Sequence, residues 1–122
     1  MKTPFLDAIR ERVLVLDGAM GTMLQERGLK AGQSQEELNL TMPEVVREVH
    51  RAYLLSGAEI IVTNTFGGNR EKLSHYVLEA QLDEINRAAV KLAREAAGEN
   101  AYVAASMGPT GRFVEPVGDI PF

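Results

Sequence analysis

Asp17 is followed by Gly18, Ala19, Met20, Gly21 and Thr22, the string DGAMGT. An acid at the end of an apolar run, followed by two glycines three apart, suits one kind of chemistry. The N–H groups of residues 18 to 21 can face an anion, because glycine permits the turn and puts no side chain in the way. Two further apolar runs end in the same manner. Ile60, Ile61 and Val62 lead to Thr63, Asn64 and Thr65, then to Gly67 and Gly68. Residues 101 to 105 lead to Ser106 and the turn Gly108-Pro109-Thr110-Gly111. The three polar ends are spaced by 47 residues (Asp17 to Asn64) and 42 residues (Asn64 to Ser106). Taken singly, Asp-Gly is an ordinary turn, Asn64 a loop cap and Ser106 a packing residue. Their shared position at the ends of apolar runs is what points to a site.

Other candidates are weaker. His50 and His75 stand 25 residues apart with no Cys at ligand spacing, so they do not read as a metal pair. His50 falls inside a helical pattern and reads as a surface or packing residue, and His75 lies in a linker. Arg70 and Lys72 could meet an anion, but a solvated face is the simpler account and the one expected. DGAMGT lacks the G-x-G-x-x-G dinucleotide pattern, and no Gly-Lys-Ser/Thr follows a glycine loop.

The elements that must position these residues read as follows. Thr3 and Pro4 predict a helix start, with the helix running to about Arg12. Val13 to Asp17 is continuously apolar, the pattern of a strand covered on both faces. A short helix is expected near MGTMLQERG, then a long loop to Leu40. Thr41 with Glu44 predicts a capping box, opening a helix that carries Val46, Val49 and Tyr53 and stops at Gly57. Ile60 to Val62 predicts a second strand. Leu82, Ile85, Ala89, Leu92, Ala93 and Ala96 predict an amphipathic helix ending at Gly98. Ala101 to Ser106 predicts a third strand.

Alternating helices and strands imply a parallel sheet with right-handed crossovers. The expected fold class is α/β: the first three βα units of a TIM (β/α)8 barrel, with parallel strands and a short helix preceding the first. A doubly wound sheet is the alternative. A closed barrel takes roughly 250 residues, so residues 1–122 are expected to be the N-terminal portion of a larger domain, with open sheet edges available for self-association. In either fold, ligands bind at the carboxyl ends of the strands.

Composition limits the alternatives. The net charge is −4, with 13 Lys and Arg scattered among 17 Asp and Glu. That argues against a nucleic-acid surface, which needs a clustered positive field. There is no Cys, so disulfides and cysteine-ligated metals are excluded within this chain. No run is apolar enough to span a bilayer, and the charged N-terminus does not read as a secretory signal, so a cytoplasmic location is expected.

The motifs LDGAMGTML, LNLTMPEVVREVHRAYLLSGAEIIVTNTFGGNREKL and ASMGPTG resemble the opening of the homocysteine S-methyltransferase family. The resemblance runs from about Val13 to the EPVG segment and is strongest for the cobalamin-dependent branch. It implies a TIM barrel binding L-homocysteine at its strand ends. It also implies a zinc ion, held by three cysteines, that turns the homocysteine thiol into a thiolate nucleophile. The methyl donor would be methylcobalamin recharged by methyltetrahydrofolate on other modules, or betaine or S-methylmethionine in sister branches. Carried onto this chain, the resemblance gives Asp17 the ammonium group and the N–H groups of Gly18, Ala19, Met20 and Gly21 the carboxylate. Thr22, Asn64 and Thr65 would line the pocket, and Ser106 and Gly108 would shape the third strand end. The zinc cysteines have no counterpart here, so this chain alone is expected to be inactive.

Overall fold

The structure is a computed structural model and describes residues 2–122. Helix α1 spans Phe5–Glu11 and is followed by α2 (Gly21–Gln25), α3 (Leu38–Thr41) and α4 (Pro43–Leu55). Strand β1 (Ile60–Val62) comes next, then α5 (Arg70–Ser74), a 3-10 turn at Glu79–Gln81, α6 (Leu82–Ala97) and β2 (Tyr102–Ala104). The two strands pair in parallel with Ile60 opposite Tyr102, Ile61 opposite Val103 and Val62 opposite Ala104. The α/β class and the parallel pairing agree with the sequence reading.

The first expected strand does not form as such. Val13 to Asp17 reaches β1 only through a parallel bridge between Leu16 and Ile60. The cause is local. The N–H groups of Glu59 and Ile60 both donate to the Val15 carbonyl, and the Val15 N–H donates to the Glu59 carboxylate (3.0 Å) instead of a backbone oxygen. A ladder cannot propagate when one carbonyl takes two donors and a side chain takes the next. Val13, Val15 and Leu16 are also 89%, 55% and 54% exposed, so the expected cover on both faces is not present. Two strands and a bridge stand where three strands were expected.

Two helix starts also differ. The cap of α1 is Pro4, not Thr3. Thr41 does not cap α4: it closes α3, and its hydroxyl donates back to the Glu37 carbonyl (3.2 Å), the i−4 bond open to a threonine already in helical backbone. Met42 precedes α4 without a side-chain cap, and Glu44 pairs with Arg47 instead.

The packing follows the helical period. Val46, Val49 and His50 of α4 are buried, as are Ile85, Ala89, Leu92, Ala93 and Ala97 of α6. Leu24, Leu38, Val46, Val49 and Leu92 form one cluster, and Ile61, Ala93, Ala97 and Ala101 another beneath the sheet. Helix α4 closes with a Schellman turn. Ala58 N–H donates to the Tyr53 carbonyl (3.0 Å) and Gly57 N–H to the Leu54 carbonyl (3.1 Å), with Gly57 at φ +105°. Gly57→Ala, which forces an L side chain into that region, is expected to cost about 1–2 kcal/mol in urea unfolding.

Candidate functional site

Asp17 sits where the Leu16 bridge ends. Its N–H donates to the Ile60 carbonyl (2.9 Å), and its Oδ2 accepts the Val62 N–H (3.0 Å). The carboxylate is thus pinned to the end of β1. Burial pushes its carboxyl above the usual aspartate range, and the Val62 N–H pulls it partly back. An incoming cation would favour the ionised form further. Gly18 to Gly21 then turn the chain into α2, and no hydrogen bond among the described residues uses their four N–H groups.

After β1, Thr63 and Thr65 join this end to the next. The Thr65 hydroxyl donates to the Ser106 carbonyl (2.7 Å), and the Ser106 N–H donates to Thr63 Oγ1 (3.2 Å). With its proton spent on Ser106, Thr65 must accept from the Thr63 hydroxyl at 2.7 Å. These bonds hold the ends of β1 and β2 level. Gly108 lies against the Phe66 backbone, where a side-chain carbon at 108 would come within 2.1 Å of the Phe66 carbonyl oxygen. Only glycine fits there.

The result is one cavity of about 360 Å³, lined by Leu16, Asp17, Gly18, Met20, Gly21, Gln35, Val62, Thr63, Asn64, Phe66 and Ser106. Asp17, Asn64 and Ser106, 89 residues apart from first to last, meet in it. Ala19, Thr22 and Thr65 do not line it: Thr22 is exposed on α2, and Thr65 is buried in the hydroxyl chain behind it. Arg70 and Lys72 lie on α5, away from this cavity.

A homocysteine S-methyltransferase family profile matches residues 14–121. The chain belongs to the homocysteine S-methyltransferase family. It is 37% identical to methionine synthase of Mycobacterium leprae and 38% identical to that of Mycobacterium tuberculosis, each over 88% of this chain and 10% of the relative. The chain therefore spans about a tenth of the length of these curated relatives. Among solved structures it resembles the homocysteine methyltransferase MmuM from Escherichia coli. The metallated form superposes with a TM-score of 0.74 at 30% identity, covering 89% of this chain and 42% of that one. The oxidised form gives 0.76 at 29% identity, covering 90% and 42%.

Within this family frame, the structure shows residues that pattern reading passed over. Asn64 is 1% exposed and its carboxamide is consumed inside the protein. Its Nδ2 donates to the Gln35 carbonyl (2.8 Å) and to Asn39 Oδ1 (2.9 Å), and its Oδ1 accepts from Gln35 Nε2 (3.1 Å). Asn64 therefore fixes the cavity wall together with Gln35, which lines the cavity beside it. Buried Glu36 accepts the Gly67 N–H (2.7 Å) and the Ser34 hydroxyl (3.1 Å), holding the turn that carries Phe66. No apolar period marks Gln35, Glu36 or Asn39. The only signal was a polar run, QEELN, directly before a helix.

The zinc that the resemblance implies does not fit these residues. The sequence has no Cys, and among the described residues no three His, Cys, Asp or Glu side chains gather closely enough to hold a metal ion.

Proposed function

We propose that this chain forms the amino-acid-binding part of a homocysteine S-methyltransferase, with L-homocysteine as ligand. The observation that carries the reading is the convergence of Asp17, the Gly18–Gly21 turn and Ser106 on one cavity at the ends of β1 and β2. A zwitterion needs a carboxylate for its ammonium group and donors for its carboxylate. Asp17 supplies the first, with one oxygen already fixed by Val62. The unused N–H groups of the turn supply the second. Ser106 and Gln35 border the space left for the side chain, and Ala19 contributes through the turn's backbone.

The curated relatives named methionine synthase favour methionine as the product of the whole enzyme. No cysteine is present to hold a thiolate-activating zinc, and alone the chain is expected to form no methionine. The methyl donor, whether methylcobalamin, betaine or S-methylmethionine, would act from outside these residues. The unit is read as the N-terminal portion of a homocysteine-binding barrel. The exposed apolar side chains of Val13, Val15 and Leu16 support this, because they suit a sheet neighbour.

Calorimetric titration tests the ligand. L-Homocysteine and L-methionine are expected to bind, and inorganic phosphate is not. Asp17→Asn keeps the acceptor for Val62 but removes the charge, and is expected to weaken homocysteine about tenfold, the usual scale for a charge-assisted bond. Because burial raises the Asp17 carboxyl, wild-type affinity should begin to fall with acid above the usual aspartate range, and the variant should not show that fall. Equal affinity of the two proteins for homocysteine would sink the assignment of Asp17.

A further inference from the structure

Tyr53 lies in the last turn of α4, far in sequence from the glycine turn but against it in space. Its hydroxyl donates to the Ala19 carbonyl at 2.5 Å. Its ring lies below Gly18: a side-chain carbon there would sit 3.2 Å from the Tyr53 oxygen and 3.4 to 3.5 Å from two ring carbons. The other end of the residue is equally fixed. The ring packs on the cluster of Leu24, Leu38, Val46, Val49 and Leu92. The Tyr53 carbonyl accepts from both Ser56 and Ala58 in the turn that ends α4. The phenol is thus a rigid strut from the core to a single peptide group in the middle of DGAMGT.

That peptide group matters. The Ala19 carbonyl belongs to the same plane as the Met20 N–H, because a peptide unit is planar. Fixing the oxygen therefore fixes the direction of the neighbouring N–H. Without it, a turn with two glycines and no internal hydrogen bonds on its N–H groups has many conformations to lose on binding. We propose that Tyr53 is a positioning residue for the amino-acid site: it holds the Ala19–Met20 peptide so that the turn's N–H groups face the ligand carboxylate before the ligand arrives. The inference rests on the homocysteine reading above and adds to it a residue outside the cavity lining. The tyrosine hydroxyl stays a donor across the working range, since burial and then the charge of Asp17 push its ionisation upward.

Tyr53→Phe deletes the one hydroxyl and leaves the ring on the core. Three measurements on the full chain test the idea. Homocysteine affinity is expected to fall about fivefold to tenfold, the scale of one lost ordering hydrogen bond. Affinity for 3-aminopropane-1-thiol, which keeps the thiol and the amine but has no carboxylate, is expected to stay the same in both proteins. In ligand-free 15N–1H spectra, the amide signals of residues 18 to 21 are expected to shift or broaden, with those of α6 unchanged. A purely structural role would weaken both ligands alike and move signals throughout α4 and α6, and that outcome overturns the proposal. Wild-type-like homocysteine binding and turn amides in Tyr53→Phe also overturn it, leaving the homocysteine reading intact. No homocysteine binding by the wild-type chain overturns that reading and this inference with it.

Discussion

Asn39→Asp is expected to lose about 3 kcal/mol of stability or more, although the two side chains have the same shape. Asn39 is buried, and its Nδ2 donates to the Asn64 carbonyl (2.9 Å) and the Ile85 carbonyl (3.3 Å). Its Oδ1 accepts from Asn64 Nδ2 (2.9 Å). The orientation of the amide is fixed by these partners, because the reverse would set oxygen against two carbonyls. Aspartate creates that arrangement: two buried carbonyls lose their donor, at about 1–3 kcal/mol each, and a buried carboxylate gains no cation. Urea unfolding and scanning calorimetry should show the loss, with Tm lower by roughly 10 °C. The same change should loosen Asn64 and so the wall of the cavity, weakening homocysteine beyond the stability loss itself. A variant within about 1 kcal/mol of wild type would show that the amide cluster does not hold the β1 end.

The cluster also explains what could be read from the residues alone. The α6 stripe was legible because burial repeats every three or four residues, so Leu82 to Ala97 states its own structure. Strand β1 was legible because three β-branched residues stand between Gly57 and a polar stop. The polar strand ends were legible as a set, since a parallel sheet brings its carboxyl ends to one side. What failed were features decided by a partner distant in sequence. Val13 to Asp17 has the pattern of a covered strand, yet its ladder is diverted by the Glu59 side chain, 44 residues away. Thr41 and Glu44 have capping-box spacing, yet α3 claims Thr41 first.

The site shows the same division. Asp17 and the glycines could be picked out because an acid and a flexible turn are visible in one stretch of chain. Tyr53 reads as a helix residue with an apolar face, and nothing local says that its hydroxyl reaches Ala19, 34 residues earlier. Asn64 reads as a polar group for a ligand. Its amide is bonded to Gln35 and Asn39, so it holds the wall of the cavity that it lines.

His50 carries the strongest pH dependence expected of this chain. It is 0% exposed on α4, and neither ring nitrogen has a hydrogen-bond partner among the described residues. Burial lowers its pKa from 6.5 to about 4. The folded protein therefore keeps the ring neutral down to about pH 4, whereas the unfolded chain takes up a proton near 6.5. The resulting stability is fully present above 6.5 and is lost progressively as the pH falls towards 4, where the folded ring also protonates. Over that interval the loss is roughly 3 kcal/mol. His50→Leu isolates the effect, because the carboxylates are common to both proteins and cancel in the difference. Leucine has nearly the same volume and no orphaned nitrogens, so the variant is expected to match or exceed wild type at pH 7. At pH 4.5 it should exceed wild type by about 2 kcal/mol more than at pH 7. Urea unfolding of both proteins between pH 4 and 8 measures this directly. Two parallel stability curves would mean that the folded protein hydrates or protonates His50 as readily as the unfolded chain does, and that α4 opens locally far more often than its burial implies.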